Sequence, residues 1–176
     1  MQLELHTTHL ILVPTPPEVI ETRLEQANFS ALVPVSGATL LVQFPHEWPG
    51  DAMAIFPMML EQIKANPNEP EWGGIMIERD SRIAVGQMGC KGPPNAGGEV
   101  EIGYGVNPAF QGRGYATELV TAFTLWLLER KSVTCVRAET VVDNLASQRV
   151  LEKSGFARVG TRDDPEDGTL ILWERR

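Results

Sequence analysis

The chain has 176 residues, of which 43% are hydrophobic and 22% charged, and its formal net charge is −8 at pH 7. These values exclude a disordered chain and indicate one globular domain covering residues 1–176. The acidic balance argues against a nucleic-acid-binding protein, which usually presents a basic face.

The remaining composition indicates a cytoplasmic protein without a metal. The N-terminus shows neither the basic region nor the apolar core of a secretory leader. No apolar run reaches the ~20 residues that a membrane span needs. Cys90 and Cys135 form no CxxC motif and are predicted to be reduced thiols. The three histidines share no ligand spacing with cysteines or carboxylates, so no metal site is predicted.

The N-terminal half contains a strand and two helices that local signals predict. Apolar residues predict a strand over Leu10–Val13, and tandem prolines open a helix that runs from Pro16 to about Ala27. No element is assigned to residues 29–49, which carry three prolines. Asp51 is a candidate N-cap for a helix that extends to about Ala65.

Two strands and a turn come next, followed by a strand that leads into a helix. Gly73–Glu78 and Arg82–Cys90 are predicted to form a hairpin. Val100–Val106 is the following strand. The glycine-rich segment Gln111–Ala116 then opens a helix that extends to about Arg130 and has one apolar face.

The C-terminal part continues the alternation of strands and helices. Val133–Val141 is a predicted strand, and Asn144–Ser154 is a predicted helix with Asn144 as N-cap and Gly155 after its end. Phe156–Gly160 and Leu170–Trp173 are the last two strands. This order predicts an α/β (α+β) fold, a mixed sheet with helices on both faces and a crossover between parallel strands.

The segment Gln111-Gly112-Arg113-Gly114-Tyr115-Ala116 has the properties of an anion site. The N–H groups of a first helical turn point outward, and the helix dipole adds about half a positive charge there. Gly112 and Gly114 leave room for a diphosphate, and Arg113 adds a cation. The segment matches neither a P-loop nor the dinucleotide-binding fingerprint. A plain glycine-rich turn before a helix is the alternative interpretation.

Three motifs in this sequence resemble those of the GNAT acetyltransferases. The segment Gln111–Ala116 resembles their Q/R-x-x-G-x-G/A motif, and Glu101–Val106 resembles their fourth strand. Asp143–Phe156 is similar to the N-x-x-S-x-x-x-x-x-K-x-G-F block of the branch that contains ribosomal-protein N-terminal acetyltransferases. These motifs follow the family's order and spacing over about residues 99–160.

The resemblance implies a fold and an acetyl-CoA site. The sheet would be mostly antiparallel, with Val100–Val106 and Val133–Val141 as a central parallel pair that splays apart. The CoA pyrophosphate would lie on the backbone N–H groups of the loop, and the pantetheine arm would pair with the backbone at Val106 and with the Asn144 side chain. The residues that the resemblance places around the pyrophosphate are Gln111, Gly112, Arg113, Gly114, Tyr115 and Ala116.

The transfer of an acetyl group to an amine also needs a proton acceptor and a proton donor. An amine of pKa about 10.4 must lose a proton before it attacks. By resemblance Glu101 is the first choice of base, with Glu99 and Glu139 as second choices, and a structural ion pair is the alternative role for each. The helix in which many family members carry a tyrosine acid has none here, so Ser147 is the candidate donor to the leaving thiolate.

The sequence does not identify the amine that accepts the acetyl group. The acceptor is either a small amine, such as an amino acid, a polyamine or an aminoglycoside, or a protein N-terminus. Residues 29–70 would form much of the acceptor wall, but they carry no part of the resemblance. A non-catalytic acyl-CoA-binding protein on the same fold is the other hypothesis. Dimers are common in the family, so a homodimer is possible, whereas no nucleic acid or membrane partner is expected.

Overall fold

The computed structural model describes residues 3–67 and 72–176, so the expectations about Met1, Gln2 and residues 68–70 lie outside it. The described residues divide into two compact units. The first contains the chain up to Gly89 together with Tyr104–Tyr115, and the second contains Cys90–Gly103 together with Ala116–Arg176. The elements found in the described ranges are β1 (Leu5–His6), β2 (Leu10–Pro14), α1 (Pro17–Glu25), β3 (Phe29–Val35), β4 (Ala38–Phe44), α2 (Phe56–Ala65), β5 (Gly73–Glu78), β6 (Ala84–Cys90), β7 (Glu99–Val106), α3 (Tyr115–Leu128), β8 (Cys135–Val141), α4 (Leu145–Lys153), β9 (Ala157–Asp164) and β10 (Gly168–Arg175).

An antiparallel sheet organises the first unit. Its strands follow the order β1-β2-β5-β6, and the last residues of β7 lie beyond β6. In the register of β2 and β5, Leu10 lies opposite Glu78 and Pro14 lies opposite Gly74. Leu10–Val13 are buried on both faces of the strand, which explains why a continuous apolar run, rather than an alternating one, predicts this strand correctly.

The segment for which no element is predicted contains a hairpin. Strands β3 and β4 pair over their whole length in a sheet of their own, and Gly37 occupies the turn with φ +76°. Pro34 lies opposite Thr39 in this register. Because proline cannot donate to a ladder, it argues against a central strand, but a two-stranded sheet has free edges that tolerate it.

An aromatic cluster forms the centre of the first unit. Phe29 stacks on Phe44 with ring centroids 4.7 Å apart, and Trp48 meets the edges of both Phe44 and Phe56. Phe44, Trp48 and Phe56 are fully buried. The indole N–H of Trp48 donates to the carbonyl of Gly86 at 3.0 Å, which satisfies its only polar group and fixes the ring against β6.

The predicted start of the second helix is wrong. Gly50–Ile55 forms a 3-10 turn, and the α-helix begins only at Phe56. Asp51 therefore lies inside the 3-10 turn, and no side chain caps either the turn or α2. Pro57 stands in the first turn of α2, where a missing N–H costs nothing, so this proline rather than the aspartate marks the helix start.

A second part of the sheet organises the second unit. The first residues of β7 pair in parallel with β8, with Glu99 opposite Cys135 and Glu101 opposite Arg137. Strand β10 then pairs antiparallel with both β8 and β9. The parallel register ends at Glu101, although β7 continues to Val106 and β8 to Val141. The predicted mixed, mostly antiparallel sheet with one parallel strand pair is confirmed.

The two helices of the second unit follow the predicted signals closely. Leu119, Val120, Phe123 and Leu127 of α3 are fully buried, as the helical spacing predicts. Helix α4 begins after its predicted N-cap, Asn144. It ends before Gly155, which has φ +81°.

Candidate functional site

A loop fixed to the sheet precedes α3. After β7, the buried Asn107 donates its side-chain N–H to the carbonyl of Ala84 at 3.0 Å and its backbone N–H to Val85 at 2.8 Å. A 3-10 turn over Pro108–Phe110 follows, and α3 starts at Tyr115. The predicted anion segment therefore consists of an irregular loop over residues 111–114 and the first two residues of α3.

Two glycines give this loop its shape. Gly112 has φ +75° and Gly114 has φ +82°, a backbone region that side-chain-bearing residues rarely occupy. A Cβ added at either position would meet nothing within 4 Å. The surface above both glycines is thus open, and the first N–H groups of α3 have no partners within the helix. This combination provides the space and the donors that a diphosphate requires.

Two predicted binding residues contact each other across the start of the loop. The side-chain amide of Gln111 donates to the carbonyl of Val106 at 2.9 Å. Gln111 therefore braces the loop against the end of β7, and one polar group of the predicted pantetheine-pairing residue already has a partner inside the protein.

Arg113 also turns toward the protein. Its guanidinium donates to the carbonyl of Ala109 at 3.2 Å, lies 4.9 Å from the centre of the Phe110 ring, and approaches the Glu78 carboxylate at 3.5 Å. About half of the side chain stays exposed. Arg113 thus supports the loop and also leaves positive charge at its rim.

Tyr115 connects the loop to a carboxylate that the sequence motifs do not include. Its hydroxyl donates to Glu78 at the end of β5, and the hydroxyl of Ser81 donates to the second oxygen of the same carboxylate. The hydrogen bond from Ser81, then that from Tyr115, lowers the pKa of Glu78, whereas the hydrogen bond to Glu78 raises the pKa of Tyr115. Glu78 lies 37 positions before Tyr115, so only the strand pairing brings the two together.

The three candidate bases all form ion pairs within the second unit. Glu101 pairs with Lys91, which follows β6. Glu99 accepts from Arg137 at 2.7 Å and from the Asn95 amide at 2.9 Å. Structural partners are therefore present for both, and nothing in the sequence identifies Lys91 as one of them.

Glu139 is the most tightly held of the three carboxylates. Arg162 donates to both of its oxygens, at 2.9 and 2.6 Å. This bidentate bond is the main reason that the pKa of Glu139 is lowered. Because a weaker base takes a proton less readily, the arrangement does not favour Glu139 in that role.

The remaining predicted residues lie at two helix starts of the second unit. The side-chain oxygen of Asn144 accepts from the backbone N–H of Ser147 at 3.0 Å, so Asn144 is the N-cap of α4. Ser147 is half-buried in the first turn. Ala116 is the second residue of α3. Glu101, Ala116, Asn144 and Ser147 thus belong to the second unit, whereas Val106 and Gln111–Tyr115 belong to the first.

The rest of the described chain adds two observations. Within residues 3–67 and 72–176, no three histidine, cysteine, aspartate or glutamate side chains are arranged to hold a metal ion. Among the helices formed by these same residues, none is long and apolar enough to cross a membrane.

Comparisons with known proteins point to one family. Residues 35–157 match the model of the acetyltransferase (GNAT) domain. An uncharacterised N-acetyltransferase of Bacillus subtilis (strain 168), YjdG, is 32% identical over 114 residues, which are 62% of this chain and 67% of YjdG.

Solved structures share the fold at low sequence identity. The ribosomal L7/L12 α-N-protein acetyltransferase RimL, in complex with coenzyme A, superposes with a TM-score of 0.68 at 15% identity, over 98% of this chain and 97% of RimL. The microcin C7 self-immunity acetyltransferase MccE, in complex with acetyl-CoA and AMP, gives a TM-score of 0.67 at 15% identity, over 96% of this chain and 92% of the MccE chain.

Proposed function

Because the chain belongs to the GNAT acetyltransferase family, we propose that it transfers the acetyl group of acetyl-CoA directly to a primary amine, on a small molecule or at a protein N-terminus. Membership of this family makes the protein an acyltransferase. We also propose that the whole chain, residues 1–176, constitutes the acetyltransferase domain. The single observation that carries the proposal is the open loop with two positive-φ glycines at the start of α3.

The loop fits the diphosphate of coenzyme A. The residues proposed to hold it are Gly112, Gly114, Tyr115 and Ala116 through their backbone N–H groups, with Gln111 and Arg113 at the rim. The open space above both glycines allows an anion to approach the backbone closely. Acetyl-CoA supplies the acetyl thioester. The structures of RimL with coenzyme A and of MccE with acetyl-CoA support this assignment by analogy of fold.

We assign the pantetheine arm to the exposed end of β7 and to Asn144. A ligand backbone that pairs with Val106 would extend β7 in the manner of an added strand. The Val106 carbonyl already accepts from Gln111, so its N–H is the group that we propose for the ligand. Asn144 caps α4 through its side-chain oxygen, which leaves its amide N–H₂ as the proposed donor.

Glu101 remains our choice of general base, and the strengths of the ion pairs support it. Lys91 has an exposed side chain and contacts one oxygen of Glu101. The Glu101 oxygen in this contact is buried, whereas the Lys91 side chain is exposed, so a substrate ammonium can take the place of Lys91 there. By contrast, a bidentate arginine bond such as that of Arg162 on Glu139 is stronger and geometrically fixed.

We propose Ser147 as the group that donates a hydrogen bond to the departing sulfur. Its backbone N–H is bound to Asn144, so the cap fixes the position of Ser147 at the start of α4. A serine hydroxyl carries one O–H donor, which is the kind of group that can donate to a thiolate.

The experiment that tests this function is a titration followed by a turnover panel. Isothermal calorimetry of the pure protein with acetyl-CoA measures binding. Thiol release is then measured with lysine, spermidine, an aminoglycoside, and short peptides that carry either a free or a blocked N-terminus. Release with one class identifies the acceptor, and the blocked peptides separate N-terminal from side-chain amines.

Two other results would contradict parts of the proposal. Binding without release above the rate of hydrolysis would favour a non-catalytic acyl-CoA-binding protein. No binding of acetyl-CoA would mean that the loop does not hold a diphosphate, and the proposed function would fail with it.

A further inference from the structure

We propose that Glu78 is a positioning residue that holds the loop before α3 in the conformation required for the coenzyme A diphosphate. This inference rests on the proposed function. The carboxylate lies at the end of β5, and it contacts the two side-chain-bearing residues that flank Gly114, Arg113 and Tyr115.

The backbone of Glu78 is a rigid support. Its N–H donates to the carbonyl of Ile83 at 2.9 Å, and its carbonyl accepts from the N–H of Arg82 at 2.9 Å, which closes the hairpin turn. On its other side, Glu78 pairs with Leu10 of β2 in the antiparallel register. The side chain of Glu78 is only 15% exposed, so burial also limits its freedom.

The loop needs such a support because glycine has wide conformational freedom. With glycine at positions 112 and 114, the backbone can populate many conformations, and only some of them direct the N–H groups outward together. Ordering those conformations at the moment of binding would reduce affinity, whereas a loop that is held beforehand avoids that loss. The hydrogen bond from Tyr115 and the ion pair with Arg113 restrict the loop on both sides of Gly114.

The position of the charge supports a geometric role. A carboxylate near a diphosphate site repels the ligand, so its presence requires a compensating function. Here Tyr115 and Ser81 donate to Glu78, and the Arg113 guanidinium lies 3.5 Å away, so the negative charge is largely satisfied inside the cluster. Tyr115 is 8% exposed, which directs its hydroxyl to this partner rather than to solvent.

The test uses two variants that break the same contact from opposite sides. Tyr115→Phe removes the hydroxyl and keeps the ring, and Glu78→Ala removes the carboxylate. We expect each to raise the Kd for coenzyme A about tenfold, as is usual when a hydrogen bond to a charged group is lost. The double variant should lose no more than Glu78→Ala alone, because the Tyr115 hydroxyl acts through Glu78.

Turnover separates positioning from a general loss of structure. With the acceptor that the amine panel identifies, both variants should raise KM for acetyl-CoA and change kcat less than about twofold. With S-acetyl-pantetheine, which lacks the diphosphate, their kinetics should equal those of the wild type. Ser36→Ala, which removes a hydroxyl hydrogen bond to the Glu4 carboxylate in the β3–β4 turn, is the control and should keep KM within about twofold.

The possible outcomes test the positioning role of Glu78 separately from the proposed acetyltransferase function. If folded Tyr115→Phe and Glu78→Ala bind coenzyme A as tightly as the wild type, the positioning role is wrong while the acetyltransferase assignment stands. The positioning role would also be wrong if the variants raised KM equally for acetyl-CoA and for S-acetyl-pantetheine, because the effect would then not involve the diphosphate. A wild-type protein that binds no coenzyme A would refute both.

Discussion

Substitution of Gly114 by glutamate tests the diphosphate loop most directly. An added Cβ meets nothing within 4 Å, so no side chain or backbone has to move to accommodate it. The cost to folding comes from the backbone, because φ is +82° and a side chain in that region costs about 1–2 kcal/mol. For a chain of this size, we expect a fall in Tm of about 2–8 °C.

The expected effect on coenzyme A is much larger than that on stability. A glutamate at this position would place a negative charge beside the diphosphate. Two unit charges at about 4 Å repel by about 4 kcal/mol at the effective dielectric constant of a protein surface. Rotation of the side chain away from the ligand will relieve part of this repulsion. We therefore expect at least a 100-fold rise in Kd, which corresponds to about 2.8 kcal/mol.

Gly37 provides a matched control. It has φ +76°, and an added Cβ there also meets nothing within 4 Å, but it lies in the β3–β4 turn. Gly37→Glu should lower Tm to a similar extent and leave the Kd for coenzyme A unchanged. The measurements are calorimetric titration and thermal unfolding of both variants. Equal affinities in folded Gly114→Glu and Gly37→Glu would refute the diphosphate assignment.

Three further predictions concern the proposed base, a helix cap and an ion pair. Glu101→Gln should lower kcat by about 100-fold or more with the Kd for coenzyme A unchanged, while Glu99→Gln should retain activity; equal turnover of Glu101→Gln and wild type from about pH 6 to 9 would remove Glu101 as base. Asn144→Ala should lose the cap of α4 and about 1 kcal/mol of stability, whereas Asn144→Asp should keep it, as thermal unfolding would measure. Because the bond from Arg162 lowers the folded-state pKa of Glu139 below 4.5, this pair stabilises the fold fully above that pH and progressively less as the pH falls through the lowered value. Glu139→Gln should therefore lower Tm at pH 7, and its difference from the wild type should shrink below about pH 4; a difference that stays constant with pH would contradict the ion-pair explanation.

Local signals explain which parts of the fold could be predicted from the sequence. The bounds Gly73–Glu78 follow from an apolar run between breakers, and the start and end of α4 follow from Asn144 and Gly155. Each of these signals acts within a few residues, so it depends little on the tertiary structure of the rest of the chain. The 3-10 turn before α2 shows the limit, because Asp51 has the right residue type for a cap but the helix starts five residues later.

The β3–β4 hairpin could not be predicted from local sequence signals either. The burial of its residues alternates along each strand, but the exposed positions include Leu32 and Leu41, so the sequence shows no alternation of apolar and polar residues. Pro34 and the nearby prolines also predict a break. The proline is acceptable only because this pair of strands forms a sheet of its own. Whether two strands form a separate sheet depends on the topology of the whole chain, so it cannot be predicted from a short stretch of sequence.

In the candidate site, too, the local backbone could be predicted from the sequence, whereas the long-range side-chain contacts could not. The motif predicted the loop and its glycines because backbone conformation is encoded where it occurs, and both glycines indeed have positive φ. It could not predict which side chains contact the loop. From its neighbours in sequence alone, Arg113 is predicted to be a phosphate ligand. In the folded chain, β5 pairs with β6, and Asn107 anchors the loop to β6, so Glu78 lies beside Arg113. An arginine that bridges Glu78 and the loop rim can serve both partners, since one face of a guanidinium can bind a carboxylate while its remaining donors stay exposed. Its contribution to coenzyme A binding should therefore depend on Glu78, and the two residues should be studied together rather than one at a time.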